Sequence, residues 1–325
     1  MPSHILSKTV PVFLLCILAL AALTATSPAA APVLKIAVNA TTIESFPVFA
    51  AADSMSANGE TSKVEVVPVP NGRVAMSQLV GSAADVATGS ETQVLLNSVT
   101  EPGLRIIVTL AEYRYRIIAR RSAGIRGIAD LRGKKVAATA NTSSHYYLHR
   151  MLLNAHVDDA QVQVVNLEGQ DMPAALERRT VDAVSIWEPH AENSLQALGS
   201  DAVVFEHAAA YTERFNLNTR ADVLANPEKR SALLALVRTI VRSSAELRKR
   251  PPDLIASLSP RVGLQEKTVI AVWPQFSFPA AISGKLRDAL GEVEPWAAAI
   301  QKRPPRARND LAVLIDSSVV EQAVR

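Results

Sequence analysis

The sequence predicts an α/β protein built from two successive strand–helix series. Short apolar runs with strand character alternate with helical patterns from residue 34 to residue 110. Residues 105–110 and 116–120 then read as two strands with only a short link between them, which breaks the rhythm. A second alternating series runs from residue 128 to about residue 198. Alternation of this kind implies a parallel or mixed sheet covered on both faces. A chain of 325 residues has room for two such units.

Each element has a local reason. Leu34-Lys35-Ile36-Ala37-Val38 alternates into a short strand, and residues 46–55 are helical with Pro47 in the first turn. Residues 64–67 form a strand closed by Pro68 and Pro70, followed by a helix over 73–80. Ala84-Asp85-Val86-Ala87 is a short buried strand that ends at Thr88-Gly89-Ser90-Glu91 and leads into a helix at 92–99. In the second series, the strand at 135–140 runs into Asn141-Thr142-Ser143-Ser144-His145, and a helix follows at 146–153. A strand over 181–186 ends at Trp187-Glu188-Pro189-His190, and residues 202–206 are a further strand. The strands at 116–120 and 203–206 read as the two crossings between the series. Beyond about residue 220 the pattern is helical. Residues 228–248 carry an apolar stripe through Leu233, Leu236, Val237 and Ile240, opened by Asn226-Pro227 and ended by Pro251-Pro252. Helices are also expected over 265–272 and 282–302.

Composition narrows the function classes. Apolar residues make up 48% of the chain, enough for substantial cores, while an aromatic share of 5% argues against a base-stacking platform. The net charge is only +3 and no Lys/Arg block concentrates it, so nucleic-acid binding is not expected. Residues 1–31 read as an export signal. His4 and Lys8 precede an apolar run over 10–23, and Ala29-Ala30-Ala31 fits a small-residue cleavage site. The run of about 14 residues is short of the ~20 that span a bilayer. Cys16, the only cysteine, lies inside that run, and Phe13-Leu14-Leu15 before it does not fit a lipoprotein signal. The mature chain would then carry no thiol, which suits an oxidising compartment and excludes cysteine nucleophiles and cysteine metal sites.

Candidate site residues cluster at strand ends. Asn141, Thr142 and Ser143 stand where a helix must begin, so they can cap it and offer free N–H groups to an anion. Thr41, Thr42 and Glu44 follow the first strand and serve equally as caps or ligand contacts. Ser90 and Glu91 follow Gly89, which allows close backbone approach. Trp187 and Glu188 supply a wall and a carboxylate. Trp187 suits the core as well, and Glu188 suits a helix dipole as well as a ligand amine or hydroxyl. In Tyr113-Arg114-Tyr115-Arg116 an extended backbone sends both tyrosines one way and both arginines the other. His145 and His149 share a helix face, but no third ligand accompanies them, and no metal site is expected. The chain has no P-loop, no Gly-rich dinucleotide turn and no Gly-x-Ser-x-Gly elbow. Strand ends converging on one crevice are how open α/β sheets hold small ligands.

Gly133-Lys134-Lys135-Val136-Ala137, Asn141-Thr142-Ser143-Ser144-His145, Asp171-Met172-Pro173-Ala174-Ala175-Leu176, Val181-Asp182-Ala183-Val184 and Trp187-Glu188-Pro189-His190 together carry a resemblance. In this order they resemble the solute-binding proteins of ABC importers, in the subgroup for sulfonate, taurine, nitrate, bicarbonate and thiamine-precursor solutes. The resemblance covers about residues 34–302. It implies a periplasmic-binding-protein fold of type II, two α/β lobes joined by a two-crossing hinge. Lobe one would take residues 33–115 and 208–325, and lobe two residues 116–207. It also implies a monomeric, non-catalytic periplasmic protein without a cofactor, which passes a small organic solute to a membrane permease. Thr41, Thr42, Ser90, Glu91, Asn141, Thr142, Ser143, Trp187 and Glu188 fall on the family's ligand loops. Arg178-Arg179-Thr180 departs from the family, which often has a glycine there. Glu44, Glu91 and Glu188 at the mouth would favour a zwitterion or an amine-bearing solute over a bare dianion, whereas one inward carboxylate alone would still admit a sulfonate. An enzyme on the same fold, either a thiamine-pyrimidine synthase or a menaquinone-pathway dehydratase, is the alternative. The synthases use a cysteine-rich motif absent here. A periplasmic ligand sensor is a third reading.

Overall fold

The computed structural model describes residue 1 and residues 34–59, 64–207 and 209–325. Residues 2–31 of the expected export signal, with Cys16, lie outside the described residues. In chain order the strands are β1 Leu34–Asn39, β2 Val64–Val69, β3 Val86–Ser90, β4 Leu104–Tyr113, β5 Arg116–Arg120, β6 Lys135–Ala138, β7 Gln163–Asn166, β8 Ala183–Ile186, β9 Ala202–Phe205 and β10 Glu213–Arg220. They form two five-stranded sheets, ordered β2-β1-β3-β10-β4 and β7-β6-β8-β5-β9. In each sheet the first three strands are parallel and the fourth is antiparallel to both of its neighbours.

That fourth strand is the first one laid down after the chain changes sheets. β5 follows β4 across residues 114–115, and β10 follows β9 across residues 206–212. The strands read from sequence as crossings, at 116–120 and 203–206, are therefore paired neighbours within the second sheet, and the passages lie just outside them. Two antiparallel insertions tie the halves together, since each sheet is completed only by chain arriving from the other.

Strand β10 is where the structure adds most to the sequence reading. Its alternate residues Asn216 and Asn218 are fully buried, and their polarity hid the strand from an apolar pattern. Burial is tolerated because each amide is bonded to a neighbouring strand, although Asn218 Oδ1 has no partner. Thr109 Oγ1 donates to Asn216 Oδ1 at 2.8 Å, and Asn218 Nδ2 donates to the carbonyl of Gly89 at 3.2 Å. Polar side chains that knit neighbouring strands thus replace the apolar face a buried strand normally shows.

The helices are α1 Phe46–Ala57, α2 Gly72–Val80, α3 Glu91–Asn97, α4 Ser143–Asn154, α5 Met172–Glu177, α6 His190–Leu198, α7 Ala221–Ala225 and α8 Pro227–Leu247, with further helices toward the C-terminus. Helix α8 opens where Asn226 Oδ1 accepts the Lys229 N–H at 3.0 Å. It buries Leu233, Leu236, Val237 and Ile240, at about 1.5–3 kcal/mol per fully buried side chain. Helix α4 begins at Ser143 rather than Tyr146, because Thr142 caps it by accepting the Ser144 N–H at 3.2 Å. In the second sheet Ile118, Val184 and Ile186 pack against Met172, Leu176 and Ala191, which seats α5 and α6 and holds the β8 end in place.

Candidate functional site

The carboxyl ends of β1, β3, β6 and β8 open onto one cavity of about 40 Å³. The first lobe contributes Asn39, Glu44, Ser90, Gln93, Glu213 and Phe215, and the N-terminus of α2 adds Asn71, Gly72 and Arg73. Thr139, Thr142, Ser143 and Trp187 come from the second lobe, with Tyr115 from the crossing between β4 and β5. The space suits about three waters, so a larger solute requires the lobes to part.

Both lobes bond to each other around this cavity. Arg73 Nη2 donates to Glu168 Oε1 at 2.6 Å and Asn71 Nδ2 to Glu168 Oε2 at 3.3 Å, forming a latch at the rim. Deeper in, Gln93 Nε2 donates to the Asn141 carbonyl at 2.7 Å. Ser143 Oγ donates to Glu213 Oε1 at 3.0 Å and lies 2.9 Å from Thr92 Oγ1, which is 2.7 Å from Ser90 Oγ. With Ser143 donating to the carboxylate, Thr92 must donate to Ser143 and Ser90 to Thr92. A hydroxyl chain therefore runs across the lobes and ends on Glu213.

Three carboxyls are buried at this junction. Glu44, Glu91 and Glu213 are 3%, 0% and 4% exposed, and each has an oxygen without a hydrogen-bond partner: Glu44 Oε1, Glu91 Oε1 and Glu213 Oε2. Burial raises all three above the ordinary carboxylate range, and the charge of Glu213 adds to the effect at Glu44 and Glu91. Glu91 is pushed up to about 8, with Arg214 opposing the shift. Tyr113 and Tyr115 hydroxyls face the Glu213 carboxylate and favour its charged form. They stop short of full hydrogen-bond geometry, since Tyr113 Oη and Glu213 Oε2 both lack a partner. Of the other two, Glu44 Oε2 accepts from Thr42 Oγ1 at 2.8 Å, and Glu91 Oε2 accepts the Arg214 N–H at 3.0 Å.

The nine residues expected to bind ligand divide by position. Ser90, Thr142, Ser143 and Trp187 line the cavity. Thr41, Thr42, Glu91, Asn141 and Glu188 stand behind it. Thr41 Oγ1 donates to Asn39 Oδ1 at 3.0 Å, and Thr42 turns inward to hold Glu44. Asn141 takes a left-handed backbone conformation at φ 58° and offers only its carbonyl, to Gln93. Glu188 is 1% exposed and accepts from Arg116 Nε at 2.7 Å, so its charge is met within the second lobe. Burial still raises the Glu188 carboxyl, with Arg116 acting against the shift. Arg116 is thus spent internally, and Arg114 lies near Glu206 at 3.9 Å. His149 Nδ1 is 2.6 Å from Asp159, while the His145 ring packs edge-on to Trp296.

Glu213, Tyr115, Phe215, Asn39, Gln93 and Arg73 were not singled out for the site from sequence. Glu213 and Phe215 sit on the strand that polar residues concealed. Tyr115 stood out only as part of its Tyr-Arg repeat. Its ring stacks on Tyr113 at 5.1 Å and meets Trp187 edge-on at 6.5 Å, so the wall is a continuous aromatic surface. Gly169 makes that wall possible, since a Cβ there would lie 2.7 Å from the Trp187 ring and 2.9 Å from His190.

Two mixed sheets, two crossings and a cavity between the halves define the periplasmic-binding-protein fold of type II. The crystal structure of the periplasmic aliphatic sulphonate binding protein SsuA from Escherichia coli superposes with a TM-score of 0.73 at 18% identity, covering 87% of this chain and 91% of that one. The periplasmic nitrate-binding protein NrtA from Synechocystis PCC 6803 gives a TM-score of 0.72 at 14% identity, covering 90% and 88%. Residues 60–252 match the NMT1/THI5 like family, and the chain belongs to that family. In sequence it is 30% identical over 149 residues to an Escherichia coli (strain K12) protein provisionally named an aliphatic sulfonates-binding protein. That match spans 46% of each chain, about half the length of the relative.

Proposed function

We propose that the chain is an exported solute-binding protein of an ABC importer, which closes two lobes on a small organic solute and presents it to a membrane permease. The observation that carries this reading is the cavity itself, lined from both lobes and ringed by hydrogen bonds that exist only when the lobes meet. Such bonds give the closed form its own contacts, and a solute that also bridges the lobes shifts the balance toward it. Lobe one takes residues 33–115 and 208–325, and lobe two residues 116–207. Residues 1–31 act as a cleaved export signal, and the mature protein works in the periplasm as a monomer. The relatives named for aliphatic sulfonates and nitrate support a sulfonate or related nitrogen or sulfur compound as solute, and taurine belongs to the same class of candidates.

No catalysis is required, because the work done is differential affinity between open and closed forms. Thiol chemistry has no residue to use in the mature chain, since the only cysteine is Cys16.

Thermal unfolding and small-angle scattering test the reading with sulfonates, aminosulfonates, nitrate, bicarbonate, pyrimidines and amines. A solute present at 100 times its Kd stabilises by about 2.7 kcal/mol and reduces the radius of gyration. If no member of that panel changes either quantity, the solute-binding reading fails.

A further inference from the structure

The most obvious sequence feature of the cavity is an anion seat, yet two of its lining residues are buried carboxyls with unpartnered oxygens. The N-terminus of α4 is such a seat in principle, but the Ser143 hydroxyl that opens it already donates to the buried Glu213 carboxyl at 3.0 Å. Arg73 is the one cation among the described lining residues, and Glu168 engages it at 2.6 Å. What remains unpartnered on the lining residues themselves is carboxyl oxygen, while the Tyr113 hydroxyl behind Glu213 also lacks a partner. Glu44 Oε1 and Glu213 Oε2 belong to lining residues 3% and 4% exposed, and neither oxygen has a hydrogen-bond partner. A buried polar group left without a hydrogen bond is costly, so these carboxyls call for a partner. The aromatic faces of Tyr115, Trp187 and Phe215 line the same space, and rings of this kind attract a cation within about 6 Å.

Resting on the solute-binding reading above, we propose that the solute is a protonated amine, with its N–H groups on Glu44 and Glu213 and its carbon skeleton against Tyr115, Trp187 and Phe215. A sulfonate without an amine would place its charge beside two acidic groups, with Arg73 already engaged.

The ionisable surroundings give the proposal a sign. Glu44 and Glu213 are flanked by Glu91, by the Tyr113, Tyr115 and Tyr211 hydroxyls, by Arg214 beside Glu91, and by the Arg73–Glu168 pair at the rim. Burial favours the protonated form of both carboxyls before an ammonium arrives. Amine binding therefore expels protons, and affinity rises with pH by up to tenfold per unit for each proton released. An anion accepted by the neutral carboxyls would retain those protons and lose affinity as pH rises.

The test is isothermal titration of the full mature chain with primary mono- and diamines from ethanolamine to 1,5-diaminopentane, with taurine, and with ethanesulfonate. Each titration is run at pH 6 and pH 8 in two buffers of different ionisation heat. Binding of an amine with proton release, stronger at pH 8, and no binding of ethanesulfonate is the expected result. Taurine binding alongside silent ethanesulfonate also supports the amine. Ethanesulfonate binding while every amine is silent overturns the proposal and leaves the solute-binding reading intact. Silence of every amine overturns it as well, and the wider panel above then decides whether any solute binds. Glu44→Gln and Glu213→Gln should each weaken amine binding about ten- to hundredfold and reduce the protons released. Circular dichroism confirms that the variants are folded, and the wild-type contrast stands without them.

Discussion

Substituting Glu91 by glutamine should change how stability depends on pH. Glu91 opens α3 fully buried, with one oxygen on the Arg214 N–H and the other unpartnered. Burial, reinforced by the charge of Glu213, lifts its carboxyl from 4.5 to about 8. Between those values the folded protein keeps a proton that the unfolded chain has released. Stability therefore falls as pH rises through this window, by about 1.4 kcal/mol per unit for one proton. The whole window of about 3.5 units corresponds to about 5 kcal/mol, none of it lost below pH 4.5 and all of it lost above pH 8. Glu91→Gln keeps the acceptor for Arg214 and removes the titration. Its amide nitrogen lacks a partner at a cost of about 1–3 kcal/mol, so the variant should be more stable than the parent by about 2–4 kcal/mol at pH 8 and less stable at pH 5. Urea unfolding at pH 5, 6, 7 and 8 measures both curves, with equal m-values required for the comparison. Parallel curves for parent and variant would refute the reasoning, because Glu91 would then be ionised in the folded state throughout the range.

Other outcomes follow from named contacts. Arg116→Met leaves Glu188 buried without its cation and should cost about 3–5 kcal/mol in urea unfolding, while Arg116→Met with Glu188→Leu should recover most of it. Gly169→Ala pushes against the Trp187 and His190 rings and should cost about 1–3 kcal/mol. Tryptophan fluorescence should shift as Trp187 leaves the wall, and an unchanged spectrum would count against that placement. Glu168→Gln removes the charge from the rim latch. Because Arg73 and Glu168 are partly exposed, stability should change by less than about 1 kcal/mol, but scattering should show a larger open population at low salt.

Much of the fold was legible because it rests on local rules. Pro47, Asn226-Pro227 and Pro251-Pro252 bound their helices through φ restriction and capping. The short strands at 34–38, 64–67 and 116–120 announced themselves by apolar or β-branched residues. Strand β10 escaped those rules because its buried face carries Asn216 and Asn218, whose bonding partners on β3 and β4 lie more than a hundred positions away. The site was legible to the extent that it follows strand ends. Ser90, Thr142, Ser143 and Trp187 reach the cavity, whereas Glu188 turns to Arg116, whose partner across the β5–β8 pairing is Ile186, two residues before Glu188.

The sequence by itself determined the α/β class, the two series, the break between them and which loops gather at the strand ends, since these follow from periodicity and from proline, glycine and capping residues acting over a few positions. Only the tertiary structure decided the electrostatics of the cavity. A carboxylate's role depends on what lies opposite it, and that is set by folding. Glu188 met an arginine and was neutralised within its lobe, while Glu44 met Glu213, a residue 169 positions later, and each retained an unpartnered oxygen.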